Sequence, residues 1–149
     1  GVGIHLFDPL DFGVPGSFGV IFTSAEFAAE HPTAAEDFVR ATLRGHEDAV
    51  MDPEAAATTA VALIEAKGNP SFLSPEGEVI RWETEAALIT AGTPEGTGLG
   101  LPDVTALQAE VDAYSEVGLF GDETPVAADY VVDLAAGVYD EATAVIWPG

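Results

Sequence analysis

Apolar side chains at three- and four-residue steps form the clearest pattern in the chain, and the pattern is strongest in residues 31–52. This spacing places them on one face of an α-helix. Thr33 and Glu36 form a candidate capping box at its start, and Gly45 in mid-helix predicts the close approach of a neighbouring element. The positions on the apolar face are Phe38, Val39, Thr42, Leu43, His46, Ala49 and Val50.

Charged residues occupy the other side of the same helix. The spacing predicts helix-surface ion pairs Glu36–Arg40 and Arg44–Asp48, each worth only about 0.2–0.5 kcal/mol. His46 lies on the apolar side, where a histidine packed in the core is expected rather than a metal ligand.

Prolines preceded by polar residues mark the next helix starts, because proline at the first helical position gives up no intrahelical hydrogen bond. Asp52-Pro53 predicts a helix that ends at Lys67-Gly68, and Ser74-Pro75 predicts one that ends at Gly92. Residues 93–102 are then predicted to form a loop.

Two further helices are predicted in the last third of the chain. One spans residues 103–118 and is ended by Gly118, after which Leu119 and Phe120 are expected to fold back. Thr124-Pro125 predicts the start of another. The apolar stripe of the first consists of Val104, Leu107, Val111 and Tyr114.

Short apolar runs bounded by turn residues predict three strands, at Val2–Phe7, Phe18–Thr23 and Ala144–Trp147. The expected fold class is therefore α/β and helix-rich, with about five helices and two or three short strands. A buried strand must pair along its edges, and a two-stranded ribbon is marginal. We therefore expect part of the sheet to lie outside these 149 residues.

The charge of the chain excludes one class of partner. It carries 26 acidic residues against four basic ones, a net charge of −22. A field of that sign repels phosphate backbones, so no nucleic acid is expected as a partner. Two explanations of the acidity stay open: adaptation to high salt, or an acidic extracellular protein with a biased composition. Unfolding below about 0.5 M salt would favour the first, because salt screens self-repulsion.

Motifs that would carry catalysis or hold a cofactor are not found. The chain has no cysteine, which excludes disulfides and zinc–thiolate sites, and its three histidines lie far apart in sequence. The glycine-rich stretch GTGLG at residues 96–100 has neither a preceding strand nor a following Lys-Ser/Thr, so a nucleotide loop is not predicted. Ser17 lies between glycines, which the turn itself explains. No cofactor and no metal are expected.

Membrane-spanning and targeting segments would indicate where the protein is located. No apolar stretch approaches the roughly 18–20 residues of a membrane helix. The start GVGIHLFDPLDFG has no basic segment and no long apolar segment of a signal peptide, and its first residue is not Met. We expect a segment upstream of it.

One long stretch resembles a known family. It is PGSFGVIFTSAEFAAEHPTAAEDFVRATLRGHEDAVMDPEAA, which is similar to type II periplasmic substrate-binding proteins of ABC transporters, in the branch for thiamine-pyrimidine precursors, riboflavin, alkanesulfonates, taurine and nitrate. Residues 103–120 resemble that family's final helix, so the resemblance spans about residues 10–120. The matching elements are Phe12-Gly13-Val14-Pro15, Phe18–Thr23, Ser24 with Phe27, Pro32, Phe38–Thr42 with Gly45, and Asp52-Pro53-Glu54-Ala55-Ala56.

The resemblance implies half of a two-lobed type II fold, in which ligand binds between two α/β lobes joined by crossing strands. Residues 1–11 would belong to the second lobe, 12–17 would be the crossover between lobes, and 18–120 would return to the first lobe. Residues 121–149 would be a C-terminal helix and tail that, like the acidity, depart from the family. The missing N-terminal half would pair with the strand at 18–23.

The crossover also supplies the substrate-binding residues that the resemblance implies. Asp11, Phe12, Ser17 and Phe18 would line the cleft. An aromatic ring there could stack on a planar ligand, and Ser17 could hydrogen-bond it. An ordinary hinge with packed aromatics is the alternative at each position.

The implied function is capture of a small organic solute for an ABC permease. The implied location is extracellular or periplasmic, with any lipid anchor or signal sequence upstream. Two alternatives stay open: an enzyme of pyrimidine-precursor synthesis on the same scaffold, and a standalone acidic helical interaction domain. Stabilisation by a ligand without turnover distinguishes the first function from the other two.

Overall fold

A computed structural model describes residues 3, 5, 7–13, 16, 19–68 and 74–147 of the chain. Within these residues the protein is helix-rich, as predicted. None of the helices there combines the length and the apolar character needed to cross a membrane. The five α-helices are α1 (Ala25–Glu30), α2 (Pro32–Met51), α3 (Pro53–Ala66), α4 (Pro75–Gly92) and α5 (Val104–Glu116).

The chain divides into two compact units. The first contains Gly1–Glu30 and Pro102–Asp133, and the second contains His31–Leu101 and Leu134–Gly149. The first unit therefore holds α1 and α5, and the second holds α2, α3 and α4.

Asp52 sets the junction between α2 and α3 by ending one helix and starting the next. Its N–H donates to the Asp48 carbonyl at 3.1 Å, and its Oδ1 accepts from the Ala55 N–H at 3.0 Å. Pro53 follows at the first helical position, where its missing N–H leaves no bond unmade. This cap was predicted from the sequence, and it is confirmed.

The caps of the later helices are also confirmed. Ser74 Oγ accepts from the Gly77 N–H at 3.1 Å at the start of α4. At the end of α5, Gly118 lies at φ +80° and the Leu119 N–H donates to the Tyr114 carbonyl at 3.0 Å. That bond pattern is the Schellman motif, which needs a left-handed residue and hence favours glycine.

The predicted capping box at Thr33 and Glu36 is wrong. Helix α2 begins one residue earlier, at Pro32, with His31 as the N-cap and no side-chain bond to the helix from that cap. Thr33 is therefore already helical and cannot act as the cap. Proline at the first position fixed the start instead.

The core of the second unit lies where α2 meets the C-terminal segment. Val138 is fully buried, and Val39 and Tyr139 pack against the buried cluster. A 3-10 turn at Ala136–Val138 brings this segment onto the helix. The buried cluster consists of Leu43, Ala135, Val138 and Val145.

The predicted helix at Thr124-Pro125 is wrong. The segment forms a 3-10 turn at Ala127–Asp129 and then irregular backbone. Gln108 on α5 contacts this segment. Its amide donates to the Pro125 carbonyl at 3.1 Å and accepts from the Ala127 N–H at 2.8 Å. The Asp129 N–H donates to the Val126 carbonyl at 3.0 Å, three residues earlier, which is the bond of a 3-10 turn.

The predicted strands are not shown. Val2–Phe7 lies largely outside the described residues, as does Phe18, while residues 19–23 carry no regular secondary structure. At the C-terminal end a single antiparallel bridge joins Tyr139 and Val145, in place of the expected strand at 144–147.

Gly45 does not meet a neighbour. A Cβ atom placed on it would find nothing within 4 Å, so the predicted close approach is wrong for the residues that the structure describes. The rest of the predicted α2 pattern holds, since Leu43 is buried and Val39, His46 and Val50 are half-buried. Phe38 is the exception at 60% exposure.

Candidate functional site

Asp11 and Phe12, two of the predicted substrate-binding residues, are consecutive in a 3-10 turn, Pro9–Phe12. The Asp11 N–H donates to the Asp8 carbonyl at 3.1 Å, and Gly13 at φ +72° then turns the chain away. Both side chains are exposed, with Phe12 at 71%. A carboxylate and an aromatic ring are thus both accessible to a ligand on this turn.

Ser17 and Phe18 complete the predicted set but lie outside the described residues. The structure therefore brings together only the Asp11–Phe12 half of the set. The exposed ring could stack on a planar molecule, and the carboxylate could accept hydrogen bonds from it.

An exposed apolar run precedes helix α1. Val20, Ile21 and Phe22 are 66%, 57% and 90% exposed. Burying such apolar surface would stabilise the protein by about 25 cal/mol per Å², and this stabilisation is absent while the surface is exposed. Contiguous exposed apolar residues typically mark a contact surface for another polypeptide, a membrane or a ligand.

Helix α1 comes next, as the resemblance implied for the Ser24–Phe27 motif. Ser24 Oγ accepts from the Phe27 N–H at 3.1 Å and so caps the helix. The helix is only six residues long and ends at Glu30.

A groove of about 260 Å³ lies in the second unit, between α2, α3 and α4. Trp82 forms one wall, and its Nε1–H donates to the Ala49 carbonyl at 2.8 Å. The His46 ring packs edge-on against the indole, with 5.7 Å between ring centroids. The lining residues are Ala49, Ala56, Ala57, Ala60, Glu78, Arg81 and Trp82.

Arg81 at the rim of this groove is already paired. Its Nε donates to Glu78 Oε2 at 2.9 Å, and Nη1 donates to Glu85. Hydrogen bonds to Glu85 and then Glu78 raise the pKa of Arg81, against a smaller effect of burial. The Arg81 guanidinium and the Trp82 indole N–H both bond groups of the protein itself. The groove is therefore a packing contact between α2, α3 and α4.

The other two arginines are also paired within their own helix. Arg40 contacts Glu36 and Asp37, and Arg44 Nε lies 3.6 Å from Asp48 Oδ2. The predicted pairs Glu36–Arg40 and Arg44–Asp48 are therefore confirmed. Because the pairs join neighbouring turns, they contribute little to packing between elements.

A second depression, of about 400 Å³, lies on the first two turns of α3. One helix alone forms it, and the Asp52 carboxylate at its edge accepts from the Ala55 N–H. Since nothing encloses a ligand there, we assign it no role. Its lining residues are Asp52, Glu54, Ala55, Thr58 and Thr59.

The GTGLG loop is a packing element, in agreement with its prediction as an ordinary loop. A Cβ on Gly98 would lie 2.5 Å from the Tyr139 ring, and Gly100 has φ +72° with Leu43 Cδ2 at 2.7 Å from its Cβ position. Tyr139 Oη also donates to the Leu99 carbonyl at 2.6 Å. Close approach of side chains therefore explains these glycines.

Tyr139 is the group whose titration the fold changes most clearly. Burial, and secondarily the charge of Glu47, raises its pKa to about 12. A phenol held neutral and bonded to a carbonyl has a structural role.

Metal binding finds no support in the described part of the chain. No group of three or more His, Asp and Glu side chains there is placed to hold an ion. The sequence predicts no metal site at its histidines, because His5, His31 and His46 lie far apart in the chain.

Comparison with known proteins gives one family match. The family model described as NMT1/THI5 like matches residues 1–56. No curated protein and no solved structure matches the chain. The matched stretch contains the turn at Pro9–Phe12, the exposed apolar run and all of α2. Over these residues the chain is therefore similar to a family of substrate-binding proteins in the broad sense.

Proposed function

We propose that this chain is part of the solute-binding component of an ABC import system. The match of residues 1–56 to the NMT1/THI5-like family is the observation that carries the proposal. The protein would capture a small organic solute between two α/β lobes and deliver it to a membrane permease outside the cell or in the periplasm. Closure of the lobes would bury the solute.

The exposed run Val20–Phe22 supports the two-lobed arrangement. In the proposal these residues form a strand that pairs with the sheet of the missing N-terminal half, which would cover their apolar side chains. Residues 1–11 then belong to the second lobe, 12–17 cross between lobes, 18–120 return to the first lobe, and 121–149 extend it.

Asp11 and Phe12 are the described residues that we assign to the solute, together with Ser17 and Phe18. The exposure of Asp11 and Phe12 supports their role, because a cleft residue must be accessible before the lobes close. The accessible groups favour a solute with a planar, hydrogen-bonding portion.

The first test is the intact mass of the protein from its own organism, purified in high salt. A mass near twice 15.4 kDa, or a partner chain of similar size, is expected. A stable, cooperative monomer of 15.4 kDa without a partner would overturn the two-lobed proposal and favour a standalone interaction domain.

The second test uses the same material to find the solute. Small molecules released on denaturation are identified by mass spectrometry and added back, and the melting temperature is measured. A solute at 100 times its dissociation constant should stabilise the protein by about 2.7 kcal/mol. Chemical conversion of that molecule would favour the enzyme alternative.

Variants then locate the site. Phe12→Ala and Asp11→Asn should weaken the binding of the solute without changing the melting temperature of the solute-free protein, since both side chains are exposed. Asp122→Asn, at an exposed position in the same compact unit, is the matched control. Equal affinity for all three variants would remove Asp11 and Phe12 from the site.

A further inference from the structure

The lysine and arginine residues are divided unevenly between the two compact units. The first unit has twelve acidic residues, four in Gly1–Glu30 and eight in Pro102–Asp133, but no lysine and no arginine. With histidine counted as neutral, its side chains therefore sum to a charge of −12 that no lysine or arginine of the unit offsets. All four basic residues lie in the second unit: Arg40, Arg44, Lys67 and Arg81.

The ion pairs follow the same division. In the described part of the chain they lie within α2 and α4, which both belong to the second unit. That unit has the remaining fourteen of the 26 acidic residues, so its charge is −10, spread over more residues than in the first unit. Repulsion between like charges is therefore stronger in the first unit.

The helices of the first unit also bury less apolar surface. None of the residues of α1 or α5 is buried. In the second unit α2, α3 and α4 each contribute buried residues, and the buried cluster around Val138 belongs wholly to that unit. Among the residues that the structure describes, the apolar burial that opposes repulsion is thus concentrated in the second unit.

Salt decides how far the repulsion reaches. A compact unit of about 60 residues has a radius of gyration of about 10 Å. Charges in water are screened over about 10 Å at 0.1 M salt and over about 3 Å at 1 M. At about 0.1 M salt an acidic side chain therefore still repels most of the others in its unit, whereas at molar salt it repels only its immediate neighbours.

We propose that the first compact unit folds in a salt-dependent way. It is folded at molar salt and unfolds locally at about 0.1 M, while the second unit stays folded. Local unfolding is expected where few apolar contacts are buried, and the uneven charge adds to it. The inference goes beyond the proposed function and does not depend on it, since it uses only charge and burial.

The salt-dependent unit includes the turn that carries Asp11 and Phe12. A solute site on this turn would form only at salt concentrations at which the unit is folded. Salt would thus act as a switch for binding, although the unfolding itself is a property of the chain without solute.

Hydrogen exchange followed by mass spectrometry tests the proposal on the 149-residue chain without solute. Helices α5 and α3 are compared, because they have 13 and 14 residues and lie in different units. Exchange is measured at constant pH in potassium chloride from about 0.1 M to about 3 M. Protection of α5 should fall at least about tenfold from the highest to the lowest salt, while protection of α3 changes by less than about twofold.

Three results of this comparison would overturn the proposal. Loss of protection in both helices at one salt concentration would show that the chain responds as a single unit. Loss in α3 before α5 would reverse the predicted order. Full protection of both helices at every concentration would show that repulsion in the first unit is too weak to unfold it.

Charge-neutralising variants test whether repulsion within the unit is the cause. Asp122→Asn with Glu123→Gln removes two charges from the first unit, and Glu95→Gln with Glu141→Gln removes two from the second as the matched control. All four residues are exposed and lie outside the helices. The first pair should lower the salt concentration at which α5 becomes protected by at least about twofold, and the control pair should leave it unchanged. Equal shifts would contradict repulsion within the first unit.

The identity of the cation distinguishes screening from the binding of a particular ion. Screening depends on ionic strength, so sodium, potassium and caesium chloride should protect α5 at the same concentration within about twofold. A requirement for one of these cations would indicate a bound ion and overturn screening as the cause.

Discussion

The Trp82 indole donates a hydrogen bond of 2.8 Å to the carbonyl oxygen of Ala49, 33 residues earlier in the chain. In an uninterrupted helix that carbonyl would accept from the N–H of residue 53. Residue 53 is proline, which has no N–H. The residue that starts α3 thus creates an unsatisfied acceptor at the end of α2, and a side chain of α4 satisfies it.

Replacing this tryptophan tests the bond. Trp82→Phe keeps an aromatic ring but leaves the Ala49 carbonyl without its donor. We expect the free energy of unfolding to fall by about 1–2 kcal/mol in urea titrations at high salt. Trp147→Phe is the matched control, because Trp147 is 58% exposed. A loss for Trp82→Phe no larger than that for Trp147→Phe would contradict a contribution from the hydrogen bond.

Gln108 should be sensitive to replacement by glutamate as well as by alanine. Its amide bonds the Pro125 carbonyl, the Ala127 N–H and Asp112 Oδ1. Gln108→Glu keeps the shape but cannot donate, and it places like charges together. We expect each variant to lose about 1–3 kcal/mol. Gln108→Ala, which removes the acceptor of the Ala127 N–H, should also speed hydrogen exchange at Ala127. Thr105→Ala, exposed on the same helix, should stay within about 0.5 kcal/mol of the parent. Unchanged exchange at Ala127 in Gln108→Ala would contradict this role.

Gly98 should not tolerate a side chain. The added Cβ of Gly98→Ala would lie 2.5 Å from carbon atoms of the Tyr139 ring, so the ring must move. Overpacking of this kind costs about 1–3 kcal/mol. Gly137→Ala is the control, because nothing lies within 4 Å of its Cβ position. A stable Gly98→Ala protein would mean that the loop and the ring separate at little cost.

Tyr139 should make stability depend on pH at the alkaline end. Its pKa is raised from 10.0 to about 12 in the folded protein, mainly by burial. The folded state therefore holds the phenol proton more tightly than the unfolded state does. This contribution is fully present below pH 10.0 and is lost as the pH rises towards about 12.

Tyr139→Phe should remove that alkaline dependence. The difference in absorbance at about 295 nm between parent and variant reports the phenolate of this tyrosine alone, and an exposed tyrosine would titrate with a pKa of about 10. At neutral pH the variant should also lose about 1 kcal/mol, since the bond to the Leu99 carbonyl is absent. A midpoint near pH 10 in the difference titration would contradict the burial of the phenol.

Salt should stabilise the protein over a wide range. The net charge is −22, and the ion pairs that the arginines form with described residues lie within single helices. Salt screens repulsion with a length of about 3 Å at 1 M, and sulfate also strengthens apolar burial. We expect the urea midpoint to rise as potassium chloride is raised from about 0.1 M to about 2 M, because the repulsion is then screened. It should rise further in potassium sulfate at the same ionic strength, because sulfate also strengthens apolar burial.

A variant with fewer acidic residues provides the control for salt. The exposed residues Glu95, Asp122 and Glu123 are replaced by their amides. The rise of the midpoint with salt should then be smaller. A midpoint that does not change with salt in the parent would remove high-salt adaptation as an explanation of the acidity.

The candidate site was predictable only in its local part. Asp11 and Phe12 lie next to each other in sequence, and a single turn closed within four residues holds them together. A cleft between lobes depends on chain segments far apart, which no local pattern specifies. Ser17 and Phe18, outside the described residues, stay predictions.

The sequence by itself determined where helices begin and end. The caps at Asp52, Ser74 and Gly118 each involve atoms within about five residues of one another, so a short pattern specifies them. The same reasoning misplaced the start of α2. The helix begins at Pro32, one residue before the predicted capping box of Thr33 and Glu36.

The tertiary structure alone decided what those helices and loops contact. Where a helix was predicted from Thr124-Pro125, the chain forms a 3-10 turn and Gln108 binds the backbone at Pro125 and Ala127. Likewise, Trp82 bonds a carbonyl that Pro53 leaves free. These partners lie 17 to 33 residues apart in the chain. Their interaction energies appear only once the chain has folded, so propensity and periodicity along the sequence do not contain them.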